Sequence, residues 1–234
     1  VTPLEFLLSK VYDGALAPAH RADLEKSGLG KDIIAEQFIR SVPPGLIPKL
    51  LGFDIPAIQS AMLLPFRSSA GGFTSHIRMK VFPTLVKVAR QGATRWIAEA
   101  DLGPSDVKQE TVKYLQPKGS APRLYFVARC LREVLEGTMP LWLCEGEKKA
   151  LAVAQMGLPA LGFCGVEGWH LKGARTLIRD FDSINLRDRI IEVLPDGDYV
   201  SNDNVKRAVR RLGAALAERG ARPRAVLLPN ELSR

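Results

Sequence analysis

The sequence predicts an α/β protein in which a parallel sheet with flanking helices over 140–234 is preceded by a smaller basic α+β domain over 1–139. Three observations carry this. Past the connector EGTMP, apolar runs and amphipathic stretches alternate as strand, helix, strand, the signature of parallel βαβ units. Two of the apolar runs end on carboxylates. Before the connector, short alternating segments surround a Gly-Gly turn instead.

From Val1 to about Ile39 the pattern is helical, with HRADLEKSGLG stopped at a glycine and KDIIAEQFIR as a second amphipathic helix. SVPPGLIPKLLGFDIP holds Pro43, Pro44, Pro48 and Pro56, which break any long element into turns around short pieces. AMLLPFRSSAGGFTSHIRMKVFP alternates on either side of Gly71-Gly72 and predicts a hairpin. TRWIAEADL and TVKYLQPKG add strand-like pieces, and SAPRLYFVARCLREVL ends in a helix.

In the second half LWLC is the kind of run buried on both faces of a parallel sheet, and KKALAVAQM is a helix closed by Gly157. PALGF is the next strand, RTLIRDF a short helix and RIIEVL a third strand. VKRAVRRLGAALAERG is a long helix closed by Gly220, and AVLLP a fourth strand. Four strands and three helices suffice for a doubly wound unit.

Composition bounds the function. A 46% hydrophobic content is enough for a core, and a net charge of +8 favours polyanionic partners, nucleic acid ahead of anionic membrane. Basic residues outnumber acidic ones 18 to 13 before Pro140 and 15 to 12 from it onward, so no single tail explains the charge. Cys130, Cys144 and Cys164 have no CxxC spacing, which argues against a zinc ribbon or a disulfide framework and fits a reducing cytoplasm. No apolar run approaches the roughly 20 residues of a membrane span. VTPLEFLLSK lacks the basic start and long apolar centre of a signal peptide, and Val1 as first residue suggests an excised piece.

The chemistry gathers on carboxylates. LCEGEKKA ends an apolar strand on Glu145, follows it with Gly146, and starts a helix. Ligands of open α/β sheets bind outside the carboxyl ends of strands, where Gly146 leaves room for a phosphate or a metal. IIEVLPDGD ends a second strand on Asp196 and Asp198 around Gly197. Adjacent strands lie about 4.8 Å apart, so acids at two neighbouring ends can share one ion. Hard oxygen donors with no histidine beside them suit Mg²⁺ or Mn²⁺ rather than zinc. The plainer alternatives are an acidic turn before a helix for Glu145 and a common Asp-Gly turn for Asp196 and Asp198.

These two motifs resemble the signatures of the toprim family, shared by bacterial-type DNA primases, type IA and type II topoisomerases and some nucleases. EGEKKALAVAQMGLPALGFCGV looks like the primase glutamate motif with its second strand. RIIEVLPDGDYVSNDNVKRA looks like the strand that ends in Asp-x-Asp and runs into a helix. The likeness covers about Leu141 to Pro229 and is closest to primase-like proteins of phages and mobile elements, whose N-terminal portions have pieces similar to LEKSGLGKDII, LLPFRSSAGG and KYLQPKGSAPRLYF. It implies a toprim-type sheet, with Glu145 as a metal-linked or acid/base glutamate and Asp196 and Asp198 as metal ligands. The departures are Pro195, where an apolar or aromatic residue is common, and the end at LLPNELSR without the acidic segment many primases carry there.

Nucleotidyl transfer and nuclease chemistry can use the same acids, with a ribonucleotide hydroxyl or water as nucleophile. A third reading is a non-catalytic nucleic-acid-binding module. A topoisomerase would need a tyrosine on a separate gate domain, for which the chain has little room. Lys148 and Lys149 stand where a helix start can meet a nucleoside triphosphate, with Gly146 and Gly197 beside them. Lys206, Arg207, Arg210 and Arg211 share one polar helix face. Lys113, Lys118 and Arg123 interleave with Tyr114, Tyr125 and Phe126, a mix suited either to a single-stranded DNA template or to a strand core. His20, His76 and His170 form no ligand spacing, Trp169 and His170 lie on a loop near the site, and Glu167 is a further acid candidate. No Walker A motif is present, so a helicase or other replication partner would supply unwinding.

Overall fold

The computed structural model describes residues 16–90 and 93–227, and the first fifteen and last seven residues lie outside the described set. Tertiary contacts divide the chain into two compact units. The first is built from residues up to Asp23, Phe38–Pro65 and Phe73–Ser120, and the second from Leu24–Gln37, Phe66–Gly72 and Ala121 onward.

Helices α1 (Pro18–Glu25) and α2 (Lys31–Glu36) lie where HRADLEKSGLG and KDIIAEQFIR were expected to be helical, and the helical reading of residues 1–15 falls outside the described residues. The second is shorter than KDIIAEQFIR because Phe38 turns to positive φ (58°), and Arg40–Val42 forms strand β1. After β1 the proline-rich stretch carries a 3₁₀ turn over Pro44–Leu46 and helix α3 (Ile47–Leu51). Strands β2 (Ser60–Arg67) and β3 (Phe73–Arg90) form the hairpin about Gly71-Gly72, where Ser68 N–H meets Gly72 O at 2.8 Å. Strands β4 (Ala93–Ala98) and β5 (Val107–Leu115) both pair antiparallel with β3.

This first sheet follows the period of two. Ile77, Met79 and Val81 of β3 are buried, while Arg78 and Lys80 point to the other face. There Arg78 lies 4.7 Å from the ring of Tyr114, which sits opposite Lys80 in register. His20 is fully covered, held between the Ser41 and Ser60 hydroxyls at 2.8 and 3.0 Å and stacked on Phe82, and burial lowers its pKa.

The second unit is a five-stranded sheet in the order β10-β9-β7-β8-β6. Strand β6 (Tyr125–Phe126) runs antiparallel to its neighbour, and β7 (Leu141–Glu145), β8 (Ala160–Phe163), β9 (Ile190–Leu194) and β10 (Arg222–Ala225) are parallel. Strand β6 belongs to this sheet, and the longest segment of the second unit begins at Ala121. Helix α4 (Leu131–Glu136) also lies in this unit, packing Val134 into its core.

Helices α5 (Glu147–Gln155) and α6 (Asp203–Glu218) are the crossovers predicted from KKALAVAQM and VKRAVRRLGAALAERG. The stripe Val205, Val209, Leu212 and Leu216 of α6 is buried against Leu143, Phe163 and Val193, each large side chain contributing roughly 1.5–3 kcal/mol. Two elements differ. RTLIRDF is a 3₁₀ turn over Arg179–Ser183, pinned by buried Phe181 and by Ile178 N–H to Trp169 O at 2.9 Å. The last strand starts three residues before AVLLP because Arg222–Ala225 is the segment in register with Ile190–Val193.

Candidate metal centre and basic groove

Strands β7 and β9 are adjacent, parallel and in register, with Cys144 opposite Leu194. Both therefore leave the sheet at the same end, one into Glu145 and the other into Pro195 and Asp196. The two ends are joined directly, since Asp196 N–H donates to Glu145 Oε2 at 3.0 Å. Lys149, one turn along α5 from Glu145, donates from Nζ to Pro195 O at 3.0 Å and to Asp196 Oδ1. The Asp196 side chain is still 57% exposed. Its neighbours Gly197–Val200 form a 3₁₀ turn in which Tyr199 N–H bonds Asp196 O at 3.1 Å. The Asp198 side chain lies outside the described residues.

Gly146 makes the strand-to-helix turn possible. Its backbone (φ 102°, ψ 150°) lies in a region open essentially to glycine alone. Its N–H closes on Phe163 O at 2.9 Å, and nothing lies within 4 Å of the place a Cβ would take, so the space over it is open. Gly162 packs the layer from β8, where a Cβ would stand 3.2 Å from Gly146 O.

The residues predicted beside the acids have definite partners. Lys148 donates to the Ser27 hydroxyl at 2.8 Å. Glu147, which sequence reasoning passed over, is buried with 2% exposure and accepts from the Cys164 thiol at 3.1 Å. The only signal for it was its place as first helical residue between Gly146 and Lys148. Cys144 is buried under the same strand end, and desolvation pushes its thiol pKa up to about 12.

On α6, Asn202 caps the helix by accepting from Asn204 and Val205 N–H at 3.0 and 3.5 Å. Lys206 reaches back to Asp203 at 3.0 Å, and this partner lowers the Asp203 pKa. Arg207 donates to Asn204 Oδ1, and Arg211 to Glu167 Oε1. Glu167 also accepts from His170 Nε2 at 2.7 Å. Glu167, Asn204, Arg207, Arg210 and Arg211 line an open groove of about 550 Å³. Trp169, expected near the site with His170, is instead buried in the core.

The interleaved basic and aromatic run is divided. Lys113 and Lys118 are exposed in the first unit, with Tyr114 on the same strand as Lys113. In the second unit Arg123 bonds Asp180 at 2.9 Å, and Tyr125 and Phe126 are core residues. Burial holds the Tyr125 phenol well above its ordinary pKa.

Two carboxylates at neighbouring strand ends offer hard oxygen donors, and the ammonium drawn to Asp196 shows that this corner attracts cations. The described residues fit a divalent ion in donor chemistry, with Asp198 as the remaining expected ligand. Among the described residues no group of three histidine, cysteine or acidic side chains is already close enough to hold one.

A protein-family model described as a domain of unknown function, DUF3854, matches residues 131–234. No curated protein matches the chain. Solved structures do. A DnaG catalytic core shares 17% identity at a TM-score of 0.53, over 97% of this chain and 71% of that one. The RNA polymerase domain of Mycobacterium tuberculosis primase DnaG shares 15% at a TM-score of 0.57, over 94% and 71%. The zinc-binding and RNA polymerase domains of Aquifex aeolicus primase share 12% at 0.54, over 91% of this chain and half of that one. The fold is accordingly the toprim-type α/β architecture of such catalytic cores, and the chain's first unit is smaller.

Proposed function

We propose that the chain is a DNA-primase-like catalytic core, a nucleotidyltransferase that joins ribonucleotides on a single-stranded DNA template with Mg²⁺ or Mn²⁺. The observation that carries this is the coupling of the two strand ends through Asp196 N–H and Glu145 Oε2 at 3.0 Å. It fixes one acid relative to the other across adjacent parallel strands, on a fold shared with primase cores.

In this reading Glu145, Asp196 and Asp198 hold the metal, which when bound would neutralise charge on a nucleoside triphosphate. The protein's own groups do the rest. Gly146 and Gly197 leave backbone open to the phosphates, and Lys148 and Lys149 contribute positive charge at the start of α5. Lys113, Lys118, Arg123, Lys206, Arg207 and Arg210 supply contacts to nucleic acid. A phage or mobile-element setting, with a helicase as partner, follows from the resemblance of the flanking sequence.

Template-directed RNA synthesis by the 234-residue chain, measured with Mg²⁺ or Mn²⁺ and labelled nucleotides, should be lost in Asp196→Ala. Cleavage of the template without any product would assign the same acids to a nuclease instead. A second reading is favoured by one contact. Lys149 already neutralises Asp196, as it would in a module whose acids had become structural. Mn²⁺ binding that is unaffected by Asp196→Ala and Glu145→Ala would establish that module.

A further inference from the structure

We infer that the groove along α6 is a track for the phosphodiester backbone of single-stranded nucleic acid, with Glu167 as an internal competitor at one of its arginines. The inference rests on the nucleic-acid reading above and assigns it a surface. Three guanidiniums, Arg207, Arg210 and Arg211, face one carboxylate, Glu167, around an open groove of about 550 Å³. All three arginines are exposed, as is Asn204 at the groove's start.

The helix sets the spacing. Arg207 and Arg211 are four residues apart, about 6 Å along the axis at 1.5 Å per residue, so they meet successive anionic groups rather than a single one. Arginine forks match phosphate oxygens in pairs, and Asn204 adds an amide that bonds sugar or phosphate. The helix itself begins just after the Asp196–Val200 turn, so a strand lying in the groove starts from the acidic end of the sheet.

Glu167 gives the groove its control. One of its oxygens accepts from Arg211 Nη2 and the other from His170 at 2.7 Å, so the carboxylate takes one arm of the fork that a phosphate would use. An entering strand replaces Glu167 at Arg211. The carboxylate is thus an internal competitor, and its removal tightens binding.

The test is fluorescence anisotropy with the whole chain and a labelled single-stranded deoxyoligonucleotide of about 20 nucleotides, across 50 to 200 mM salt. Replacing Arg207, Arg210 and Arg211 together by alanine should weaken binding about tenfold or more and lower the log–log salt slope by about 2, at roughly 0.7 per phosphate contact. Arg132→Ala, on a solvent-facing pair with Glu136, should leave binding within about twofold. Glu167→Gln should bind about threefold tighter, whereas Glu136→Gln, which removes the same charge from a solvent-facing pair on another helix, should stay within about twofold; equal tightening by the two would overturn the competition. Unchanged binding by the triple variant overturns the track while leaving the nucleic-acid reading intact. Equal displacement of the strand by polyglutamate, or a preference for duplex, overturns its ligand assignment. A wild-type chain that binds no strand at all removes both readings. Mn²⁺ titration of Asp196→Asn reports on the acidic centre independently of the groove.

Discussion

Lys149 donates from its ammonium to the carboxylate of Asp196, the acid proposed as a metal ligand, and the same ammonium also holds Pro195 O at 3.0 Å. A divalent ion at Asp196 must therefore compete with a resident cation. Exposure of the pair keeps that competition modest, on the order of 0–1 kcal/mol after solvent screening. Lys149→Met should lower the dissociation constant for Mn²⁺ by about threefold, read from the free-ion signal in electron paramagnetic resonance. Weaker binding in the variant would instead make Lys149 a positioning residue for the Pro195 turn.

Gly146 supports the other half of that corner. At φ 102° and ψ 150° an alanine is strained by roughly 1–3 kcal/mol even though no atom lies within 4 Å of its Cβ. Urea unfolding of Gly146→Ala should show this loss with little change in slope. A variant as stable as the wild type would mean that the turn has another low-energy path.

How much of this was legible depends on what each residue's signal was. The acids were readable because Leu143, Ile191 and Val193 are buried in a parallel sheet, and such runs point their last residues out of its carboxyl end. The hydrogen bond from Asp196 N–H was not, because register is set by pairing between segments distant in sequence. Lys149 illustrates the same limit. Helical spacing placed it one turn from Glu145, but only the β7–β9 neighbourhood turned it toward Asp196. Tyr125 and Phe126 take the strand-core alternative that the interleaved run left open. Two residues suffice for β6, and its pairing with β8 buries both rings in the second unit, while Lys113 and Lys118 are exposed in the first. The start of the last strand was hidden because RPRA is not apolar, while pairing with β9 selects Arg222–Ala225; Leu228 and Pro229 of AVLLP lie outside the described residues.

Cys144 links the site's floor to pH. Its thiol, buried at the end of β7, has its pKa raised from 9.0 to about 12. A raised pKa favours the neutral thiol in the folded state, so this contribution is complete below pH 9.0. It is lost as pH climbs toward about 12, at roughly 1.4 kcal/mol per pH unit. Denaturant melts between pH 8 and 11 should fall less steeply for Cys144→Ala than for the wild type, whatever the offset from the smaller side chain. In the native protein at pH 8, iodoacetamide should leave Cys144 unmodified. Rapid labelling there would show that the β7 end opens.

Arg189 joins the parallel sheet to the segment before it. It is 3% exposed, and its guanidinium donates to Met139 O at 2.8 Å and to Val134 O and Glu133 O at 2.6 Å each. The last two are carbonyls of helix α4; Glu133 O also accepts from the capping Gly137 N–H at 3.0 Å, so Arg189 adds a second bond there and reaches Val134 O in the last turn. Burial lowers the Arg189 pKa, yet charge is retained because the acceptors surround it. Arg189→Met preserves bulk while removing the donor to Val134 O and Met139 O, each costing roughly 1 kcal/mol or more, so a loss of about 2–3 kcal/mol is expected, with Glu133 O still held by Gly137 N–H. Because the segment carries β6 into the sheet through α4 and Leu135 O, which accepts from Asn185 N–H at 2.8 Å, the loss should be felt beyond the helix. Hydrogen exchange in Arg189→Met should therefore rise in Tyr125–Phe126 as well as in Leu131–Glu136. Exchange confined to the helix would show that β6 is held by its pairing with β8 alone.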